Sequence, residues 1–386
     1  MLSSHYIKEV VPRELWDRYS QLELDLILSF ARRARAFVGS GVLPRTAEWE
    51  AEKLQALGIL REDVERIIAA SWPGTLHELH ATLDAAGFKS LTYDERLYRR
   101  AVQAGLIAAA PPMAESVALR RILQTGYAQA VDKFNQTNST AKNTLITSFT
   151  AAIDKAYTQV ATGFSSLQSA VWGAVNEIAG KGVTGAVFAN GRTMEMAPYV
   201  RMVTVTTVGN TTRQMSFERA REFGSDLIEI SAHAGARPRC APFQGKAFSI
   251  SGTHPKYPPL SSTSYGEPAG IFGINCGHYP FPFIEGLDRQ KTQDEIREES
   301  EVVMEDESRK ANAQVYQESQ QQRYYERKIR EWKAKAAALE AAAGDNPGLE
   351  QAVRKARNKV RDWQAEQRAF IERTERTRRY DREKVA

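Results

Sequence analysis

Four residues of this chain have the types and spacing to hold a metal ion: His233, Cys240, Cys276 and His278. They read His-x6-Cys, then a gap of 35 residues, then Cys-x-His. Thiolate and neutral imidazole are the donors zinc prefers, and four of them close a tetrahedral structural site. Both cysteines of the chain, and three of its six histidines with His254 as the third, fall between Ser231 and Gly286. That stretch is dense in Pro and Gly, so it buries little apolar surface, and a metal cross-link would supply ordering energy that packing does not. The spacing matches none of the common finger patterns. Two other states of the same residues stay open. One is a Cys240–Cys276 disulfide, which the lack of a secretion signal argues against. The other is reduced thiols beside histidines satisfied by backbone groups.

Catalysis needs more than these residue types. His233, His278, Asp226 and Glu229 could be combined into an acid–base pair or an open-position metal centre. Four protein ligands would leave zinc no position for water. The chain has no nucleophile elbow, phosphate-cradling loop or zinc-protease helix. Cys240 lies near two prolines with no base assigned to it. The expectation is a protein without enzymatic activity. Arg237 and Arg239 could each grip a carboxylate or phosphate, or, for Arg237, pair with a local acid to hold the turn. Lys246 reads as a solvated charge. His77 and His80 share a helix face but lack further ligands, so no metal is expected there.

The elements that must position the cluster are mostly helical. The chain has 386 residues, 42% hydrophobic and 26% charged, with a formal charge of +5, as expected of a soluble globular protein made in a cytosol. No apolar run is long enough to span a bilayer. The fold class expected is α+β, predominantly helical, in three sections: a helical domain at 1–112, an α+β domain at 113–286 and a helical hairpin at 287–386. In the first, Leu22, Leu26, Phe30 and Ala34 recur at helical spacing, stopped by Gly39, Gly41 and Pro44. Thr46 caps a second helix ending at Gly58, Val64 begins a third, and the Thr92-x-x-Glu95 pair opens a fourth. Pro111-Pro112 marks a boundary. Three amphipathic runs follow, around Leu119–Val131, Leu145–Val160 and Leu167–Ile178, with a polar break at Thr137–Thr140 and an end at Gly180 and Gly182. The β-branched run Val200–Val208 predicts a strand, Ser216–Phe223 a helix stopped by Gly224, and Leu227–Ile230 a short strand leading into the Cys/His segment. Within that segment Phe243, Phe248, Tyr257, Tyr265, Phe272, Tyr279, Phe281 and Phe283 supply an aromatic core.

After Gly286 the chain is charged and helix-favouring. Tyr325, Ile329, Trp332, Ala336 and Leu339 step four and three, a coiled-coil seam. The turn at Gly344–Gly348 is followed by Val353, Ala356, Val360, Trp363 and Phe370, a second seam that Gln367 interrupts. The last helix, expected from Arg354 to Lys384, holds twelve Lys/Arg against six Asp/Glu, an excess of six. Its basic face, with Arg354, Lys355, Arg357, Lys359, Arg361, Arg378 and Arg379, has three readings: a solvated face laced by i,i+4 pairs, contact with DNA phosphates, or docking on an acidic protein surface.

Ser231–Pro238 (SAHAGARP), Phe243–Lys246 (FQGK), Tyr265-Gly266, Gly273–His278 (GINCGH) and Pro282-Phe283 together resemble the minor capsid protein 2 family of tailed bacteriophages, related to the Mu F-like minor head proteins. The likeness extends upstream through Thr137–Ser139, Ile153–Val175, Gly191-Arg192 and Tyr199–Met202, and downstream through Gln321–Lys335. At the position of Cys240 the family pattern calls for histidine, and a His-to-Cys exchange keeps a zinc ligand. The resemblance implies a low-copy structural minor capsid protein at or near the portal vertex. Such a protein acts in head assembly and in genome packaging or delivery. The partners implied are the portal protein, the major capsid or scaffolding protein, and packaged DNA; the location is the virion interior or portal vertex, after assembly in the host cytoplasm, with no membrane. The alternatives are a virion-carried nuclease or transferase with its metal in the Cys/His segment, and a non-specific DNA-binding module in the last helix.

Overall fold

The computed structural model describes residues 10, 12–36, 46–287, 293–305, 308–343 and 347–385. The expected class holds: long helices dominate and the strands are short. The chain packs as two compact units, interleaved along the sequence. One takes Met1–Leu15, Leu76–Lys133 and Arg201–Gln320; the other takes Trp16–Thr75, Phe134–Val200 and Gln321–Ala386.

In the second unit, α1 (Arg13–Ala36) begins the core. Leu22, Leu26, Phe30 and Ala34 are buried as their spacing predicts. The stop expected at Gly39, Gly41 and Pro44 lies outside the described residues. Tyr19 and Phe30 meet Phe134 and Phe149 of α3 (Val117–Ala161) edge to face, with ring centroids 5.4 and 5.2 Å apart, the geometry aromatic quadrupoles favour.

Several expected interruptions do not occur. α2 runs unbroken over Thr46–Gln103, past the stop expected at Gly58 and the starts expected at Val64 and Thr92. A Cβ at Gly58 would meet nothing within 4 Å, and one glycine costs a helix only about 1 kcal/mol. The Thr92 hydroxyl donates to the Phe88 carbonyl four residues back at 2.8 Å, so it is a mid-helix residue and caps nothing. Nor does α3 break at Thr137–Thr140, because its buried stripe passes through them. Ala130, Phe134, Thr137, Ala141, Leu145, Phe149 and Ile153 all face inward, and burial on a continuous stripe overrides the polar look of the four residues. α4 (Leu167–Lys181) follows, capped by Ser166, whose side chain accepts the Ser169 amide, and ended by Gly182 at φ +69°. Glycine, lacking a Cβ, takes that positive φ at little cost.

The strand expected at Val200–Val208 is helix. It lies in α5 (Met196–Glu222), after the two-stranded antiparallel ribbon of β1 (Thr184–Val187) and β2 (Thr193–Glu195). Val200, Thr204, Val208, Thr211, Met215 and Arg219 are all buried, a three-and-four spacing that outweighs β-branched propensity. In the first unit, α5 packs on α2: Tyr98 stacks on Phe223 with centroids 4.4 Å apart, among Leu97, Ala101, Ala220 and Ile284. Gly224 ends the helical stretch as expected, at φ +68°.

After the central sheet, described below, come α6 (Gln293–Ser300), the ribbon of β6 (Val302–Val303) and β7 (Arg309–Lys310), and the hairpin helices α7 (Asn312–Ala343) and α8 (Pro347–Thr374). The two seams meet through Ala336, Leu339, Val353 and Ala356, and Tyr325 contacts the rings of Trp363 and Phe370. The last helix ends at Thr374 rather than reaching Lys384, where Glu375 turns to φ +50°. Gln367 does not interrupt the seam. It is fully buried in it, continuing the three-and-four steps of residues 353, 356, 360, 363, 367, 370 and 374. A polar seam residue of this kind fixes register at some cost in stability.

Phe149 is completely buried against Phe30, so Phe149→Ala should destabilise the protein by about 3–5 kcal/mol. Urea unfolding followed by circular dichroism would read this as a lowered midpoint with unchanged slope.

Candidate functional site

Strand β3 (Leu227–Ile230) carries the chain into the Cys/His segment, as expected, and becomes the middle of a three-stranded sheet. β4 (Ala247–Ser249) and β5 (Pro280–Pro282) flank it, both antiparallel. Pro280 and Pro282 suit an edge strand, where amide donors on one side are not needed. The register does the positioning. Ile230 pairs with Pro280, so the chain leaving β3 and the chain entering β5 start side by side. The Ser231 amide donates to the Tyr279 carbonyl at 3.0 Å, and the Tyr279 amide donates to the Ser231 hydroxyl at 2.9 Å. His233 and Cys240 lie on the first loop, and Cys276 and His278 on the second.

Three of the four expected metal ligands meet. The Cys240 and Cys276 thiols and a nitrogen of His278 all lie within 4.8 Å of one another. Cys276 Sγ and His278 Nδ1 are 3.2 Å apart. All three residues are buried, at 1%, 6% and 5% exposure. His233 is beside them: its ring tilts against that of His278 with centroids 4.3 Å apart, while its Nδ1 sits 3.0 Å from the Ala234 carbonyl. The cysteines form no disulfide.

Gln244 fixes the imidazole. Its Oε1 accepts the His233 amide at 2.7 Å and lies 3.1 Å from His278 Nε2. A backbone N–H can only donate, which fixes that atom as the oxygen; an oxygen can only accept, which puts the His278 proton on Nε2. Nδ1 then turns its lone pair toward Cys276. On the sulfur side, the Phe272 amide donates to Cys276 Sγ at 3.2 Å. Arg213, packed against the Tyr265 and Phe272 rings, donates to the Phe272 carbonyl at 2.9 Å. The Cys276 thiol is held well below its ordinary pKa, chiefly by its hydrogen bond with Cys240.

The turn chemistry around the cluster is tight. Phe272 and Asn275 take φ of +60° and +56°. A Cβ at Gly273 would come within 2.5 Å of the Pro268 carbonyl oxygen, which only glycine tolerates. Arg237 holds this turn by donating to the Ile274 carbonyl at 2.6 Å, a backbone partner rather than the expected acid, and Arg239 pairs with Glu267. Asp226 lies at the far end of β3, where it accepts from Ser251 N and Oγ at 2.7 and 2.9 Å, so the paper assembly of Asp226 with His233 does not form. Of the aromatic residues, Phe248 and Phe272 are buried in the core around the cysteines with Phe243 packed against it; Tyr279 and Phe281 form a neighbouring core with Val205.

Two supporting residues were not foreseen. Gln244 stood inside the quoted FQGK run, but glutamine carries no ligand chemistry to draw attention. Asp94, on α2, is completely buried and accepts hydrogen bonds from Tyr279 Oη at 2.7 Å and Ser216 Oγ at 3.1 Å. Its carboxyl is pushed up to about 8, chiefly by burial.

The basic residues of the C-terminal region fall into two groups. Arg354, Lys355 and Arg361 are exposed on α8. Arg357 pairs with Glu340 at 2.7 Å and Lys359 with Asp362 at 3.4 Å. Arg378 forks onto Glu383 at 2.6 and 2.7 Å, and Arg379 pairs with Asp381 at 3.2 Å. His80 pairs with Asp84 at 3.0 Å, and His77 is exposed. No helix among the described residues is long and apolar enough to cross a membrane.

Comparison with known proteins now sets the class. The chain is similar to a structural protein of Lactococcus phage LL-H, 31% identical over 251 residues, covering 63% of this chain and 62% of that protein. It is also similar to a structural protein of Lactococcus phage mv4, 38% identical over 137 residues, covering 34% of this chain and 95% of that protein. The chain therefore spans under two thirds of the length of the LL-H relative. It belongs to the phage minor capsid protein 2 family, whose model matches residues 4–372. No solved structure matches it.

Asp94 gives a pH signature. Its pKa rises from 3.8 unfolded to about 8 folded, so the native state holds the extra proton and stability should fall as pH climbs from about 4 to 8. The slope for one proton is at most about 1.4 kcal/mol per pH unit. Unfolding free energies at pH 5 to 9 should fall less steeply in Asp94→Asn than in the parent; parallel curves would refute the protonated carboxyl.

Proposed function

We propose that this minor capsid protein is a low-copy component of the virion seated at or near the portal vertex, where it acts in head assembly and in packaging or delivery of the genome. The family match over residues 4–372 carries the reading. The architecture suits it. Each compact unit is built from separated stretches of chain, and the α7–α8 hairpin ends the chain in a charged helical surface fit for docking. The partners this implies are the portal protein and the major capsid or scaffolding protein.

A second reading has its own observation. Arg354, Arg361 and Arg368 recur every seven residues along α8, all exposed and without an ion pair among the described residues. Seven residues are nearly two helical turns, so the three form one cationic stripe. Such a stripe can neutralise DNA phosphates without reading sequence.

Cross-linking mass spectrometry on purified virions tests the first reading. Cross-links to the portal protein and a copy number well below that of the major capsid protein are expected; absence from the particle, or a copy number equal to the major capsid protein, would sink it. For the second, Arg354→Glu/Arg361→Glu/Arg368→Glu should weaken duplex DNA binding and lower the steepness of its salt dependence by about three charges' worth. Binding that is absent or insensitive to salt in the parent would remove DNA as the partner.

A further inference from the structure

We propose that Cys240 Sγ, Cys276 Sγ and His278 Nδ1 hold one zinc ion, with Gln244 as the positioning residue for the imidazole.

Four observations converge. The three donor atoms already lie within 4.8 Å of one another, with Cys276 Sγ and His278 Nδ1 3.2 Å apart. Zinc–sulfur and zinc–nitrogen bonds of about 2.3 and 2.0 Å at tetrahedral angles separate such donors by about 3.5 Å, so binding needs adjustments smaller than a bond length. The donor set is soft and nitrogenous, the combination zinc takes over calcium or magnesium. Gln244 Oε1 faces His278 Nε2 at 3.1 Å, leaving Nδ1 as the free donor; this outer hydrogen bond is the usual companion of a zinc-bound imidazole. Finally, two thiolates and Zn²⁺ sum to zero charge, which is the form a buried site can hold at least cost.

The bond network gives the ion its role. Cys240 comes from the loop after β3 and Cys276 from the loop before β5, so one ion ties two loops whose own backbone makes mostly turns. Burial of all three donors assigns the site to structure, because no ligand atom is open to a substrate. His233 lies outside the donor set, stacked on His278 with its amide held by Gln244.

The test uses the full chain purified under reducing conditions from zinc-supplemented cells. Elemental analysis should find about one zinc per chain, and cobalt exchanged for it should show thiolate-to-cobalt charge-transfer absorption that weakens in Cys276→Ser. Cys240→Ser and His278→Ala should lose the metal. Since those variants can also fail to fold, Gln244→Ala is the decisive one. It should keep the parent circular dichroism yet lose zinc to a chelator with about 10–100-fold weaker affinity. His233→Ala should keep its zinc; loss there would overturn the three-ligand set. A folded parent with no zinc that takes up none on titration, or one whose mass shows a Cys240–Cys276 disulfide, would overturn the site altogether.

Discussion

The arrangement of the first unit depends on two short ladders of backbone hydrogen bonds along one four-residue strand. β3 pairs with β4 on one side and β5 on the other, and the shared register puts Ser231 against Tyr279. That pairing is what closes a gap of 35 residues between Cys240 and Cys276. A slip by one residue in the β3–β5 pairing would exchange the faces of β5, since side chains alternate with a period of two, and would carry the adjoining His278 out of place. The anchor against such a slip lies beyond the sheet: Tyr279 Oη is held by Asp94 of α2, which also receives Ser216 of α5. Two helices thus lock the strand whose register assembles the cluster.

How much of this was legible in the sequence follows from which forces left local marks. The helix α1, the strand β3, the ends at Gly182 and Gly224 and the meeting of the two C-terminal seams were all legible, because periodicity and left-handed glycines act within a few residues. The interruptions expected at Gly58, Thr92 and Thr137–Thr140, and the strand expected at Val200–Val208, were misread for one common reason. Each rested on local propensity, worth well under 1 kcal/mol per residue for most types, while the structure buries a continuous stripe through each of them except Gly58, where a lone glycine is simply tolerated. Gln367 was misread because a polar residue in a seam looks like a break until its burial is seen. In the cluster, Cys240, Cys276 and His278 were legible from residue chemistry alone. Gln244 and Asp94 were not, since their parts come from geometry: one acceptor oxygen shared between two donors, and one carboxyl sealed from water.

The second unit carries a different kind of constraint, a half-buried cation among acids. Arg330 of α7 is half-buried; it lies over the Trp16 ring, 5.1 Å from its centroid, and donates to the Arg382 carbonyl. The charges of Glu195, Glu326 and Glu23 favour its cationic form against the burial that opposes it. Glu23 in turn accepts the Val183 and Ala197 amides at 2.9 and 3.2 Å, and burial, then the charge of Glu195, pushes its carboxyl up to about 8. Desolvating such groups costs several kcal/mol each, and an apolar replacement of the whole set can be equally stable. What an apolar set cannot do is discriminate. Arg330 satisfies its partners only when α1, the β2 strand, α7 and the C-terminal segment stand in one mutual register. The buried positions toward the end of α7 include four small side chains, Ala334, Ala336, Ala338 and Ala342, which specify register weakly. The charged cluster therefore supplies the register that the alanine-rich helix, by its composition, leaves unspecified.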